Sequence, residues 1–375
     1  MEDIKTDTLF RPFDGGGLHL ANRIVMAPMT RCFSPGGVPG ENVAAYYRKR
    51  AEGGVGLIVT EGTWIPHWAA SNDDSAPRFH GDDALAGWAR VVEQVHAAGG
   101  KIAPQLWHVG LSRKPDVENL YVQQTDYSRT ISPSGVLDLG QQINEPISEE
   151  EIEAVSAAYA QAAADAERLG FDGVELHGAH GYLIDQFFWT ETNLRDDRYG
   201  GDQVARTRFA VEVVRAIRAR VSRDFPVIFR FSQWKLQDYA ARMLETPQAL
   251  AAFLAPLVDA GVDVFHCSQR RFWVAEFEGE GPMNLAGWTR KLTGKPTISV
   301  GSVGLDQEMV ESLLSGGVSR FARLDALLEM MARGDFDLIA IGRALIANPN
   351  WPRLVAAHQF DAIAPYSPAL LAELI

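Results

Sequence analysis

The sequence predicts a closed (β/α)₈ barrel, a TIM barrel, and three observations point to it. Eight short runs rich in Val, Ile, Leu and Phe recur along the 375 residues. Longer segments of helical period separate them. No G-x-G-x-x-G follows an early strand, although an open doubly wound sheet of this size usually carries one at its first turn. The runs are apolar nearly throughout rather than alternating, which suits parallel strands covered on both faces.

The elements follow in chain order. Residues 8–22 alternate around a glycine turn and predict an N-terminal hairpin that caps one end of the barrel. Strands are expected at 24–28, 55–60, 101–107, 171–177, 226–231, 262–266, 296–300 and 336–341. Helices are expected at 42–52, 84–98, 148–169, 204–220, 246–260, 306–314 and 323–332. Ser148 with Glu151 reads as a capping box, in which hydroxyl and carboxylate each satisfy a free backbone N–H. Gly170 and Gly261 stand where a helix ends in a left-handed residue before the next strand. Residues 108–147 are polar and rich in turn formers, and an insertion of that length after strand three predicts a lid over the site. There is no internal repeat, low-complexity tract or linker, so residues 1–375 are expected to form a single domain.

A hydrophobic content of 46% allows a large core. Lys and Arg number 35 against 48 Asp and Glu, a net charge of −13. Such a surface repels nucleic acid and anionic membranes, so neither is an expected partner. The only cysteines, Cys32 and Cys267, exclude a disulfide framework, a four-thiolate zinc site and a four-cysteine iron–sulfur cluster built from this chain alone. The first residues lack a basic stretch followed by an apolar run, and no long uncharged apolar stretch occurs, so a cytoplasmic location is expected.

In a barrel of this kind chemistry sits at the carboxyl ends of the strands. Those ends read Ala27-Pro28-Met29-Thr30, Glu61-Gly62-Thr63, Gln105-Leu106-Trp107-His108, His177-Gly178-Ala179-His180-Gly181-Tyr182, Arg230-Phe231-Ser232, Gly301-Ser302-Val303-Gly304 and Gly342-Arg343. The last two follow strands seven and eight, the usual barrel phosphate site. There glycines admit close backbone approach, and the Arg343 guanidinium is able to grip phosphate oxygens. Alone, Gly301-Ser302-Val303-Gly304 also reads as a tight turn. For His177, His180 and Tyr182 the spacing leaves three readings open. They are a pair of satisfied histidines, part of a metal site, or a cluster that hydrogen-bonds a substrate oxygen while the phenol delivers a proton.

Taken together, these pieces resemble the Old Yellow Enzyme family of FMN-dependent ene-reductases. The resemblance rests on Asn22-Arg23-Ile24-Val25-Met26-Ala27-Pro28-Met29-Thr30-Arg31, on Gln105-Leu106-Trp107-His108-Val109-Gly110 and on Glu175-Leu176-His177-Gly178-Ala179-His180-Gly181-Tyr182-Leu183. It extends through Asn193-Leu194-Arg195, Asp197, Tyr199-Gly200-Gly201, Gly301-Ser302-Val303 and Gly342-Arg343-Ala344-Leu345-Ile346-Ala347-Asn348-Pro349, in the family's order.

The resemblance implies roles for these residues. Pro28, Met29 and Thr30 would lie beside the isoalloxazine, Gly62 and Gln105 would meet its edge and pyrimidine, and Arg230 would place positive charge by N1 and the C2 carbonyl. Gly301, Ser302, Gly342 and Arg343 would hold the 5′-phosphate of tightly bound, non-covalent FMN. NADPH or NADH would be the reductant. His177 and His180 would hold the carbonyl or nitro oxygen of an enone, enal or nitro substrate, and Tyr182 would protonate its α-carbon. Trp107, Phe272 and Trp273 would shape the substrate pocket. Asn193, Arg195 and Tyr199 would brace the loop after strand four. A monomer or homodimer is expected.

Some positions depart from the family's pattern. Ser232 is followed by Gln233 and Trp234 where many relatives place proline. Residues 267–273 are unusually basic and aromatic, and Arg270 and Arg271 are expected to face solvent or to pair structurally rather than to grip an acidic group. A carboxy-terminal aromatic over the pocket has no secure match, Tyr366 being the one candidate. Two cysteines and the chain length disfavour the larger iron–sulfur flavin barrels. A metal-dependent hydrolase would require further ligands at other strand ends.

Overall fold

The computed structural model describes residues 6–71, 73–111, 130–137, 140–308, 317–322 and 324–375. Eight parallel strands close into a barrel in chain order. They are β1 (Ile24–Met26), β2 (Leu57–Trp64), β3 (Ile102–Trp107), β4 (Val174–His180), β5 (Val227–Lys235), β6 (Val264–Ser268), β7 (Thr297–Val300) and β8 (Leu338–Ile341). The principal helices outside it are α1 (Glu41–Glu52), α2 (Asp82–Ala97), α3 (Glu149–Arg168), α4 (Arg208–Arg218), α5 (Pro247–Ala260), α6 (Leu285–Thr293), α7 (Asp325–Arg333) and α8 (Trp351–Ala356). The fold is the TIM barrel that the alternation of apolar runs and helical segments implies.

Each helix forms because one stripe is apolar. In α4, Phe209, Val213, Val214 and Ile217 are fully buried while Arg208, Arg215 and Arg218 flank them. At the start of α3 the Ser148 hydroxyl accepts the Glu151 N–H at 3.1 Å. The Glu151 carboxylate does not complete a reciprocal box; it accepts from Trp68 Nε1 at 2.7 Å and meets His67 Nε2 at 2.9 Å. Gly170 and Gly261 do adopt left-handed backbone, with φ of 85° and 112°.

Helix α6, nine residues long, was not expected from periodicity. Its capping is nonetheless explicit: Asn284 accepts the Gly287 N–H, and Gly294 ends it at φ 67°. Of the helix expected at 306–314, residues 309–314 lie outside the described residues. So do residues 112–129 and 138–139 of the insertion expected to form a lid. The rest of that insertion contains a two-stranded hairpin, Val136–Leu137 with Gln141–Gln142. Arg195 ties it down by donating to the carbonyls of Pro133 and Ile147, at 2.7 and 2.6 Å.

The lower barrel interior is a dry layer of Val25, Leu57, Val59, Ala103, Ile228, Val264, Ile298 and Leu338. Phe13, Leu18 and Leu20, from the antiparallel hairpin Phe13–Gly15 with Leu18–Leu20, close it from below. Gly16 must be glycine: its φ is 58° and a Cβ would lie 2.7 Å from Val264 Cγ2. Among the described residues no helix is long and apolar enough to cross a membrane.

Candidate active site

Four strands run further toward their carboxyl ends than the apolar runs indicate: β2 to Trp64, β4 to His180, β5 to Lys235 and β6 to Ser268. Among their added residues Gly62, His180, Trp234 and Ser268 line a cavity rather than the dry core. That cavity, of about 610 Å³, opens at the carboxyl ends of the strands. Its walls bring together Pro28, Met29, Thr30, Gly62, Gln105, Trp107, His177, His180, Tyr182, Arg230, Gly301, Ser302, Gly342 and Arg343.

Each wall is held by local structure. The loop after β1 is fixed by Glu61, whose buried carboxylate accepts the N–H groups of Arg31 and Cys32, both at 2.9 Å. A register shift between Val59 and Gly62 lets Glu61 reach that loop. Gly62 leaves room for an indole, since a Cβ there would lie 2.7 Å from the Trp107 ring. Beyond Gly178, strand β4 slips in register against β5, and His180 takes a left-handed φ of 66°. A non-glycine residue in that conformation costs about 1 kcal/mol or more and persists where surrounding structure imposes it. Here the His180 N–H donates to Ser232 Oγ at 3.0 Å, and the Gly181 N–H donates to Asp185 at 2.7 Å. The chain thereby turns so that Tyr182 faces the same space as His177.

The rings pack closely. His177 lies 4.8 Å from Tyr182 and 5.0 Å from His180, both edge-on, and Trp107 meets Tyr182 edge-on at 5.0 Å. The other face of His180 is covered by Trp234 at 4.3 Å, and Trp234 stacks in turn on Tyr239 at 5.4 Å. His180 Nε2 sits 2.7 Å from Ser268 Oγ, which also accepts from Arg230 at 3.3 Å.

Burial, reinforced by the charge of Arg230, holds both His177 and His180 well below the usual imidazole pKa. They are neutral at pH 7, each with a single ring N–H to offer. Five buried polar atoms on the cavity's residues have no partner among the described residues: His177 Nδ1, Trp107 Nε1, Arg230 Nε, and Nε and Nη1 of Arg31. Leaving such atoms unpaired costs about 1–3 kcal/mol each, so they mark a surface built to meet a polar ligand.

At the opposite side, Gly301 (φ 152°) and Ser302 (φ 52°) form a turn, with the Ser302 hydroxyl donating to the Arg270 carbonyl at 2.9 Å. The Arg343 guanidinium, which lines the cavity, donates to the carbonyls of Gln307 and Glu308, at 2.8 and 3.2 Å.

Phe272 and Trp273 are not brought to this cavity. The Phe272 N–H donates to the Gly301 carbonyl and its own carbonyl accepts from Asn284, which turns the ring into the outer core. Trp273 is 43% exposed. The aromatic wall comes from Trp234 and Tyr239 instead. Trp234 was visible in the sequence only as a departure after Ser232. Ser268 went unnoticed because strand six ends in no recognisable motif. Cys32, Asp73 and Tyr366 also line the cavity. Burial, with Asp73 and Glu61 nearby, pushes the Cys32 thiol pKa up, so the thiol stays protonated. Arg270 is held by Glu308 through two contacts of 2.9 and 2.8 Å. Among the described residues no group of three or more His, Cys, Asp or Glu side chains has the arrangement of a metal site.

Comparison with known proteins adds four findings. Residues 8–361 match the model of the NADH:flavin oxidoreductase / NADH oxidase family. The chain is 34% identical to an NADH oxidase of Thermoanaerobacter brockii over 90% of its own length, though it spans only 49% of that relative. It is 31% identical to 12-oxophytodienoate reductase 1 of Oryza sativa subsp. japonica, covering 95% of this chain and 87% of the other. A solved structure of morphinone reductase in complex with tetrahydroNAD superimposes with a TM-score of 0.77 at 29% identity, covering 97% of this chain and 93% of that one.

Proposed function

Because the chain belongs to the NADH:flavin oxidoreductase / NADH oxidase family, the Old Yellow Enzyme family, we propose that it is an FMN-dependent reductase of activated C=C bonds. Its substrates would be α,β-unsaturated carbonyl or nitro compounds, with NADH or NADPH as the electron source. One observation carries this reading: His177, His180 and Tyr182 converge on a single cavity whose other walls supply Gln105, Arg230 and two glycine-containing loops.

The residues present fit FMN. Gly301, Ser302, Gly342 and Arg343 offer backbone approach and a guanidinium for a phosphate dianion. Pro28, Met29, Thr30, Gly62, Gln105 and Arg230 offer one apolar face and polar groups for a flat heteroaromatic ring, and Arg230 Nε is unpaired. When bound, FMN supplies a two-electron carrier between the nicotinamide and the alkene.

The chain's own groups account for the rest. A neutral imidazole donates to a substrate oxygen as negative charge grows there, without itself losing a proton. His177 is the freer donor of the pair, because His180 Nε2 already engages Ser268. Tyr182 supplies the proton for the α-carbon, and an enolate-like carbon is basic enough to take it from a phenol. Trp107, edge-on to Tyr182 and stacked on His177, aligns both groups.

The test is stopped-flow absorbance under nitrogen. Purified protein should take up FMN and show its visible bands; a protein that binds no flavin refutes the reading. Tyr182→Phe should be reduced by the nicotinamide at nearly the native rate, while its reoxidation by cyclohexenone slows by about 10²–10⁴-fold. Equal reoxidation rates would rule out Tyr182 as donor.

A further inference from the structure

Behind the cavity wall lies a charge that this reading leaves unused. Glu175 is fully buried on β4. Its Oε1 accepts from Gln105 Nε2 at 2.8 Å, and its Oε2 meets His266 Nδ1 at 2.6 Å. Strands β4 and β6 are not neighbours in the sheet, so the second contact crosses the barrel interior. The three side chains thus form a polar layer between the dry core and the cavity. His266 Nε2 is buried with no partner among the described residues. This fits a neutral imidazole whose only N–H, at Nδ1, is given to the carboxylate, and burial also lowers the His266 pKa. The layer therefore carries one net negative charge. Arg230, the register partner of His266, brings a positive charge to the cavity wall in front of it.

We propose that Glu175 is a positioning residue that sets the reduction potential of the flavin: its charge offsets Arg230, and its bond to Gln105 Nε2 leaves the Gln105 carbonyl for the ring edge. The proposal rests on the flavin reading above. Two-electron reduction adds negative charge to the ring, so a cation at the wall favours the reduced form and an anion behind it opposes it. A low potential makes the flavin a better donor to the alkene at some expense to its reduction by nicotinamide.

Glu175→Gln removes the charge and keeps the shape; its carbonyl can still accept from Gln105, and its amide can donate to His266 after a tautomer change. In the FMN-loaded variant, equilibrium dye titration should show a potential raised by at least ~30 mV, a tenfold change in the oxidised-to-reduced ratio. Reduction by nicotinamide should quicken while reoxidation by cyclohexenone slows; a merely structural defect would slow both. His266→Gln keeps the Glu175 charge and should leave the potential close to native. Should Glu175→Gln fail to fold, His266→Lys, which sets a cation against the same carboxylate, should raise the potential in the same sense. An unchanged potential in FMN-bound Glu175→Gln or His266→Lys overturns the proposal, as do equal shifts in Glu175→Gln and His266→Gln. Absence of any bound flavin would count against the flavin reading instead.

Discussion

Replacing Lys235 by Met would expose how the turn carrying Tyr182 is held. Lys235 Nζ lies 2.6 and 2.8 Å from the two Asp185 oxygens, and both side chains are 0% exposed. The same carboxylate accepts the Gly181 N–H at 2.7 Å, where the chain turns at φ 80°. Burial pushes the Asp185 pKa up and the Lys235 pKa down, so each charge persists only because the other offsets its desolvation. Removing the ammonium leaves a carboxylate buried with the Gly181 N–H as its main donor. Breaking a buried pair from one side costs about 3–5 kcal/mol, against a total stability on the order of 5–15 kcal/mol. Urea unfolding at pH 7 should therefore show a much lower midpoint with an unchanged slope.

The double replacement Asp185→Leu with Lys235→Met removes both charges and should be more stable than the sum of the single losses predicts, with a coupling of about 0.5–3 kcal/mol. Reoxidation by cyclohexenone should suffer more than FMN affinity in the Lys235 variant, because the Gly181 turn aims Tyr182. A Lys235→Met protein within about 1 kcal/mol of native, or strict additivity in the cycle, would refute the reasoning.

Further predictions concern packing, the anion site and pH. Gly53 has an ordinary φ of −71°, yet a Cβ there would lie 2.0 Å from the Pro349 carbonyl oxygen. Gly53→Ala should lose about 1–3 kcal/mol by overpacking, read by thermal unfolding; an unchanged midpoint would contradict the contact. Arg343→Ala should weaken FMN binding by roughly 10–100-fold, as loss of charge-assisted hydrogen bonds worth about 1.5–3 kcal/mol implies. Fluorescence titration checks it, and native affinity would remove the phosphate assignment.

Burial lowers the pKa values of His108, His177, His180 and His266 in the folded state. Below about pH 6.5 the unfolded chain binds protons that the folded chain refuses, so stability falls as pH falls, by up to about 1.4 kcal/mol per pH unit for each such histidine. Urea midpoints measured between pH 7.5 and 5.5 should decline on the acid side; a flat profile would mean that these rings take up protons equally in the folded and unfolded chain, so that folding does not lower their pKa values.

The apolar runs located all eight barrel strands, because a parallel strand covered on both faces has to be hydrophobic along its buried length. The same rule ended β2, β4, β5 and β6 too early. Past those ends Gly62, His180, Trp234 and Ser268 line the cavity, so the apolar signature stops where the cavity wall begins. Helix α6 was missed although it is as long as α7; the caps Asn284 and Gly294 mark its ends. Phe272 and Trp273 were expected at the pocket because aromatic residues after a strand usually line one, but main-chain bonds to Gly301 and Asn284 turn Phe272 outward.

Sequence alone determined the barrel, its order and the residue types at the strand ends, since periodicity and glycine placement are local consequences of backbone geometry. It also placed His177, His180 and Tyr182 within one short segment. Only the closed barrel decided which of those side chains share a space and what stands behind them. The Ser232 hydroxyl that holds the left-handed His180, the Trp234 face that covers it, the Ser268 oxygen at its Nε2 and the Glu175–His266 contact all join segments 52 to 91 residues apart. Such contacts have no local signature, because they arise when strand ends converge at the mouth of the barrel, where polar groups must find partners across the ring rather than along the chain.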